Sequence, residues 1–238
     1  MGINKGRKIC YHSDIKYSNI NKKGFTLAEV LITLGIIGVV AAMTMPVLIG
    51  NYQKQVAVEQ YKKIYSTLKN AESRAALDYG DSVEWDYSDV DNFMNTYYVP
   101  YLNVVKTNPR SVDYKVKNLN GDDLGTWQNL KGMQGAWRNI YLADGSIIKY
   151  WKNNQYFMFQ VDANGSKGPN VFGKDIWDFE LYWDGNKKLV PKGNRVNATN
   201  YDQYYNWCKT YDISSGSGCP CSGLLMYNHY KIDKNYPW

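Results

Sequence analysis

The sequence predicts an α+β protein, with one long amino-terminal helix laid against an antiparallel β-meander. Three observations lead there. Residues 30–50 form an uncharged run of 21. Residues 57–75 carry one apolar stripe at helical period. From residue 137 onward the apolar period changes to two.

Charge and composition exclude several classes. The 238 residues hold 28 Lys or Arg and 22 Asp or Glu. Six of those bases (Lys5, Arg7, Lys8, Lys16, Lys22, Lys23) and one acid (Asp14) lie in residues 1–24. Residues 25–238 therefore carry 22 bases against 21 acids, a nearly neutral body. A basic nucleic-acid-binding domain is excluded on that balance, and no nucleic-acid partner is expected. With 44% hydrophobic and 21% charged residues, general disorder is excluded as well. A polytopic membrane protein is excluded, because a single stretch is long and apolar enough to span.

That stretch opens the first element. A helix of 21 residues covers roughly 30 Å, the thickness of a bilayer core. Lys22 and Lys23 flank it on one side only, so the leader stays cytoplasmic and the rest crosses. A cleaved secretory signal has an apolar region of about 7–15 residues, shorter than this one. A plain anchor fits the length but leaves Glu29 unexplained. A carboxylate at membrane depth costs roughly 2.5–3.5 kcal/mol on insertion scales and is usually paired. A free α-ammonium created by cutting between Gly24 and Phe25 would pair with it.

Lys22 to Pro46, KKGFTLAEVLITLGIIGVVAAMTMP, resembles the class III signal of type IV pilins and type II secretion pseudopilins. The resemblance implies cleavage after Gly24 by a prepilin peptidase and N-methylation of Phe25. It makes Glu29 the assembly carboxylate and Pro46 the helix-bending proline of that family. It also implies a pilin-like lollipop fold and a filament of this chain with other pilin-like subunits. An assembly ATPase and an inner-membrane platform protein would drive assembly. The leader is long for the family. The implied location is the inner membrane, in a single pass, with the head periplasmic or on a cell-surface filament.

The second element continues the helix. Ala57, Tyr61, Ile64, Leu68, Ala71 and Ala75 recur three or four apart, one apolar face among Lys and Glu. Gly80 is placed to end it. A helix from Phe25 to Leu77 is about 80 Å long at 1.5 Å per residue. The predicted organisation is a leader at 1–24, a membrane or filament-core half at 25–50, an amphipathic half at 51–80 and a head at 81–238.

In the head, Ser88-Asp89-Val90-Asp91 reads as a capping box for a short helix over 89–99. Residues 104–135 are polar and read as a long loop. Residues 137–142 and 147–151 flank Asp144-Gly145, a hairpin signal. Residues 156–161 and 176–183 are two further strands, the second turned back by Asp184-Gly185-Asn186.

The loop at 161–179 has two readings. Asp162, Asn164 and Asp175 could ligate Ca2+, and major pseudopilins resemble this in holding calcium near their last strands. The EF-hand spacing fails, with Lys167 where Gly is required and Gly173 where Glu is required. The other reading is a turn-rich loop whose Asp and Asn side chains bond their own backbone.

Four cysteines are present, and Cys10 lies in the leader. Cys219 and Cys221 are separated only by Pro220, which leaves little freedom for a bridge between them. Cys208 therefore pairs with one of the two. WCKTYDISSGSGCPCSG resembles the carboxyl-terminal disulfide loop of type IV pilins, which favours Cys208–Cys219.

Residues 25–238 contain one histidine, His229, and no HExxH, GxSxG or GxxxxGK[ST] motif. An enzyme is not expected. The 8 Trp and 22 Tyr have two readings. They build a core and sheet face, or Trp127, Trp137, Trp151, Trp207 and Trp238 supply an exposed platform. The second reading makes the chain a minor or tip pilin binding a glycan, a surface or DNA.

Overall fold

The computed structural model describes residues 24–108, 114–127, 129–130, 137–152, 156–182, 187–211 and 219–238. The rest of the predicted leader, Trp183 and the Asp184-Gly185-Asn186 turn lie outside them. The chain divides into two compact units, Met1–Val47 and Leu48–Trp238. The arrangement is α+β, a long amino-terminal helix followed by an antiparallel sheet.

Helix α1 runs Leu27–Tyr79 and contains Pro46. In the first unit its large apolar side chains are exposed, Leu31, Ile36 and Met43 among them. This part is long and apolar enough to cross a membrane. Its hydroxyls are satisfied within the helix, as lipid requires. Thr33 Oγ1 donates to Val30 O at 2.9 Å and Thr44 Oγ1 to Val40 O at 3.0 Å.

In the second unit all six predicted stripe residues, Ala57 through Ala75, are buried. Gly80 adopts φ +78° and its N–H donates to Ala76 O at 3.1 Å, closing the helix. The stripe packs on the sheet through aromatic rings. The Tyr61 ring lies 5.0 Å from Trp177 and 5.7 Å from Phe179.

Helix α2, Val90–Tyr97, stands where the capping signal placed it. The cap is Asp89 rather than Ser88, accepting from Asn92 N at 2.7 Å. Residues 104–135 are not the predicted long loop. They contain β1 (Val104–Asn108), β2 (Lys115–Lys117) and β3 (Asp123–Thr126). These strands are short and polar, so pairing rather than an apolar pattern defines them. β2 and β3 form a separate two-stranded ribbon.

Next come β4 (Arg138–Leu142), β5 (Ile147–Lys152), β6 (Tyr156–Asp162), β7 (Ile176–Tyr182) and β8 (Leu189–Pro191). The main sheet is ordered β1-β4-β5-β6-β7-β8, and every pairing is antiparallel. Gly145 turns the predicted β4–β5 hairpin at φ +88°.

The register divides the side chains into two faces. Tyr150, Phe159 and Phe179 form one cross-strand row, on the face that meets α1. Asn139, Lys149, Gln160 and Asp178 form the next row, and all four are buried. Period-two alternation suggests a solvated second face, yet the polar side chains on it are covered. Lys149 Nζ donates to Trp127 O and lies 4.3 Å above the Trp137 ring. Gln160 Nε2 donates to Tyr211 Oη at 2.8 Å, and Lys192 pairs with Glu180 at 2.8 Å. Buried polar groups persist where such partners exist.

Two helices the sequence analysis did not foresee complete the unit, α3 (Tyr201–Thr210) and α4 (Cys221–Tyr227). The start of α4 docks beside β7 and β8. Asp178 N donates to Ser222 Oγ at 3.1 Å, and Gly223 N to Lys192 O at 2.8 Å.

Candidate functional site

The amino-terminal candidates are Gly24, Phe25 and Glu29. Phe25 is 88% exposed, and a side chain at Gly24 would meet nothing within 4 Å. The described side of the predicted Gly24–Phe25 junction is thus uncovered. Glu29 Oε2 accepts from Thr26 N and from Thr26 Oγ1, each at 2.8 Å. Thr26 Oγ1 in turn accepts from Glu29 N at 3.2 Å. This reciprocal pair is a capping box, which satisfies orphan donors at the start of α1. Sequence reasoning gave Glu29 an electrostatic role and missed Thr26. The signal was present, since Thr26-Leu27-Ala28-Glu29 has the Thr-x-x-Glu spacing. Both side-chain bonds fall on one oxygen, so the carboxylate keeps acceptor capacity for a cation.

The structure gathers Asp162, Asn164 and Asp175 at one end of β6 and β7. Asp162 accepts from Asn164 N at 3.1 Å and from Tyr114 Oη at 2.5 Å. Asp175 accepts from Asn170 N at 2.8 Å and from Val171 N at 2.7 Å. Asn164 Nδ2 donates to Gly168 O at 2.9 Å. Burial pushes the Asp162 carboxyl up to about 7 and raises Asp175 as well. Both carboxylates are engaged with backbone N–H groups of their own turn, the local bonding of a turn-rich loop. Among the described residues no group of three or more His, Cys, Asp or Glu is placed to hold a metal ion.

The predicted Cys208–Cys219 bridge is corrected. The bond joins Cys208 to Cys221, with Cα atoms 4.7 Å apart, and Cys219 is a buried free thiol. Helix α4 makes the choice. Cys221 is its first residue, and the docking of Ser222 and Gly223 on β7 and β8 sets that sulfur against α3.

Trp127 and Trp137 are buried and cannot belong to an exposed platform. Trp151, Trp207 and Trp238 are half-buried. Trp151 packs on the rings of Trp137 and Tyr156, Trp207 packs on Tyr204, and the Lys174 ammonium lies over the Trp238 ring. His229 is exposed. A cavity of about 270 Å³ lies between α1 and the β4–β5 hairpin, lined in part by Lys63, Leu68, Asp144, Asn164 and Lys167. Lys63 and Asp144 pair across it at 2.7 Å. Among the described residues, neither histidine nor cysteine lines it.

Residues 19–45 match the prokaryotic N-terminal methylation motif. Residues 47–238 match a family of unknown function, DUF6613. No curated protein and no solved structure matches the chain. Residues 19–45 are therefore a prepilin-type signal, carried on a helix apolar enough to anchor the chain in a membrane.

Proposed function

We propose that this chain, which belongs to the DUF6613 family by a match over most of its length, is a structural subunit of a filament. The filament is of the type IV pilus or type II secretion pseudopilus kind. A prepilin peptidase cuts after Gly24 and methylates Phe25. Subunits then leave the membrane and bundle through the first part of α1. One observation carries this reading: the methylation motif ends at residue 45 and the family domain begins at residue 47. The signal is thus followed at once by a family domain that takes in the rest of α1 and the head.

The physical argument rests on Glu29. Its carboxylate lies in a run that has no water-soluble partner, and the new α-ammonium of Phe25 is a matching charge. When subunits associate, the ammonium of one and the Glu29 of its neighbour leave the lipid as a pair. An unpaired buried charge costs several kcal/mol, so register follows from the pairing.

The test is the intact mass and amino-terminal sequence of protein made beside a prepilin peptidase. The expected chain starts at Phe25 and carries one added methyl group. A chain that keeps its leader, or is cut after the apolar run, defeats the proposal.

The half-buried Trp151, Trp207 and Trp238 favour a second reading, a tip subunit whose head binds a glycan or surface. Stoichiometry separates the two, because a tip subunit is far rarer than a shaft subunit.

A further inference from the structure

Three sulfurs meet beneath α3 and α4. Cys208 and Cys221 are bonded, and the Sγ of Cys219 lies 3.0 Å from the Sγ of Cys221. All three residues are at most 1% exposed. A free thiol thus touches one sulfur of an existing bridge, in a place closed to external thiols. Beside it stands Asp178, also fully buried. Its Oδ2 accepts from Cys219 N at 3.3 Å, and its Oδ1 has no hydrogen-bond partner among the described residues.

We infer that Cys208, Cys219 and Cys221 form a self-contained thiol–disulfide exchange site, in which Cys219 is the nucleophile. Cys219 releases its proton to solvent as the site opens and attacks Cys221 Sγ as the thiolate. The Cys219–Cys221 bond forms as the Cys208–Cys221 bond breaks. The electron pair leaves on Cys208 Sγ, which takes a proton back from solvent. One disulfide and one thiol are present before and after, so no oxidant or reductant is required.

The two isomers differ in what they hold. The Cys208–Cys221 bond ties α3 to α4, and the exchanged bond releases α3. Two effects bias the site toward the tied form. A bridge across Cys219-Pro220-Cys221 has little conformational freedom. Burial and the Asp178 charge also push the Cys219 thiol well above its usual range, against the opposing Lys192 ammonium and the Cys221 backbone N–H, so the closed site holds little thiolate. Exchange therefore runs when the site opens or when the pH rises. The inference does not rest on the filament assignment.

The full chain tests it without any added thiol. Samples are held at neutral pH and at about pH 9 with iodoacetamide present, so that any Cys208 thiol released by exchange is trapped as it forms, and are then unfolded and alkylated to completion. Peptide mapping then locates the label. At neutral pH the label falls on Cys219. At the higher pH it moves in part to Cys208, while the summed label on the three cysteines stays at one per chain. In Cys219→Ser no label reaches Cys208 at either pH. Label confined to Cys219 in the wild type at both pH values overturns the inference. So does equal labelling of Cys208 in Cys219→Ser.

Discussion

Glu72 Oε1 accepts a 2.7 Å hydrogen bond from the backbone N–H of Leu189, 117 positions away in the chain. Glu72 sits on α1 and Leu189 opens β8, so one carboxylate fastens the helix to the last strand of the sheet. The residue is 5% exposed, and its other oxygen accepts from Lys69. An acid on the apolar side of an amphipathic helix is thereby explained, since it supplies the acceptor for a strand too short to be self-supporting.

Replacing Glu72 by Ala leaves the Leu189 N–H buried without an acceptor and opens a void. The expected loss is about 2–3 kcal/mol, the usual cost of an orphaned buried donor plus packing. Glu72→Gln keeps an acceptor and should lose less than half of that. Urea unfolding of the two variants measures both values. Equal losses would show that charge, rather than the hydrogen bond, holds β8.

Gly223 lies in α4, where a Cβ would stand 2.1 Å from the carbonyl carbon and oxygen of Gly193. Backbone cannot yield as a side-chain tip can. Gly223→Ala should therefore cost about 3 kcal/mol or more, beyond the ordinary overpacking range. Because α4 carries Cys221, the same variant should form the Cys208–Cys221 bridge in lower yield. Denaturation and disulfide mapping on one preparation check both.

These two contacts also show where the sequence was legible. The α1 stripe from Ala57 to Ala75 could be read residue by residue, because a long amphipathic helix repeats its signal. Asp144-Gly145 announced a hairpin for a comparable reason, since the turn needs a residue with positive φ. By contrast α3 buries a single residue, Cys208, and α4 holds a glycine in its interior. Strand β8 is three residues long. Such elements exist through partners distant in sequence, such as Glu72, Asp178 and Lys192, and local pattern carries no trace of them. The same holds at the candidate sites. Glu29 stood out as one charge in an apolar run. Cys219 and Cys221 lie two positions apart, and only the docking of α4 decides between them.

Lys149 gives a pH prediction. Burial brings its ammonium down to about 7, opposed by Asp178 on the same face. An unfolded lysine titrates at about 10.4. Between those values the unfolded chain binds a proton that the folded chain does not. Stability therefore rises with pH through this window, and below the folded value the penalty is complete. Compared with Lys149→Met, the wild type should gain up to about 2 kcal/mol between neutrality and about pH 9. Parallel unfolding curves for the two proteins across that range would sink the idea.

Cysteine replacements should rank by the bond observed. Cys208→Ser and Cys221→Ser each remove a bridge whose cysteines are 13 positions apart, with an expected loss of about 3 kcal/mol. Cys219→Ser removes no bridge and should lose less than either. Thermal unfolding under non-reducing conditions sets the order. If Cys219→Ser proved the worst of the three, the native bridge would have to run through Cys219.

The observed and the proposed role of Glu29 can be separated. Its capping box with Thr26 needs an acceptor, and its pairing with a neighbouring Phe25 ammonium needs a negative charge. Glu29→Gln keeps a side-chain acceptor for the Thr26 donors but carries no charge. Glu29→Ala removes both. The capping contribution is about 1 kcal/mol, small beside the anchoring energy of the apolar run. Both variants should therefore insert and be cut after Gly24, as amino-terminal sequencing would show. If charge pairing sets register, both should assemble poorly, to a similar degree, in a sheared-filament yield assay. Normal filament yield from Glu29→Gln, with a deficit only in Glu29→Ala, would make Glu29 a helix cap alone. Normal yield from both would remove Glu29 from assembly altogether, and the apolar surface of α1 would have to set the register by packing.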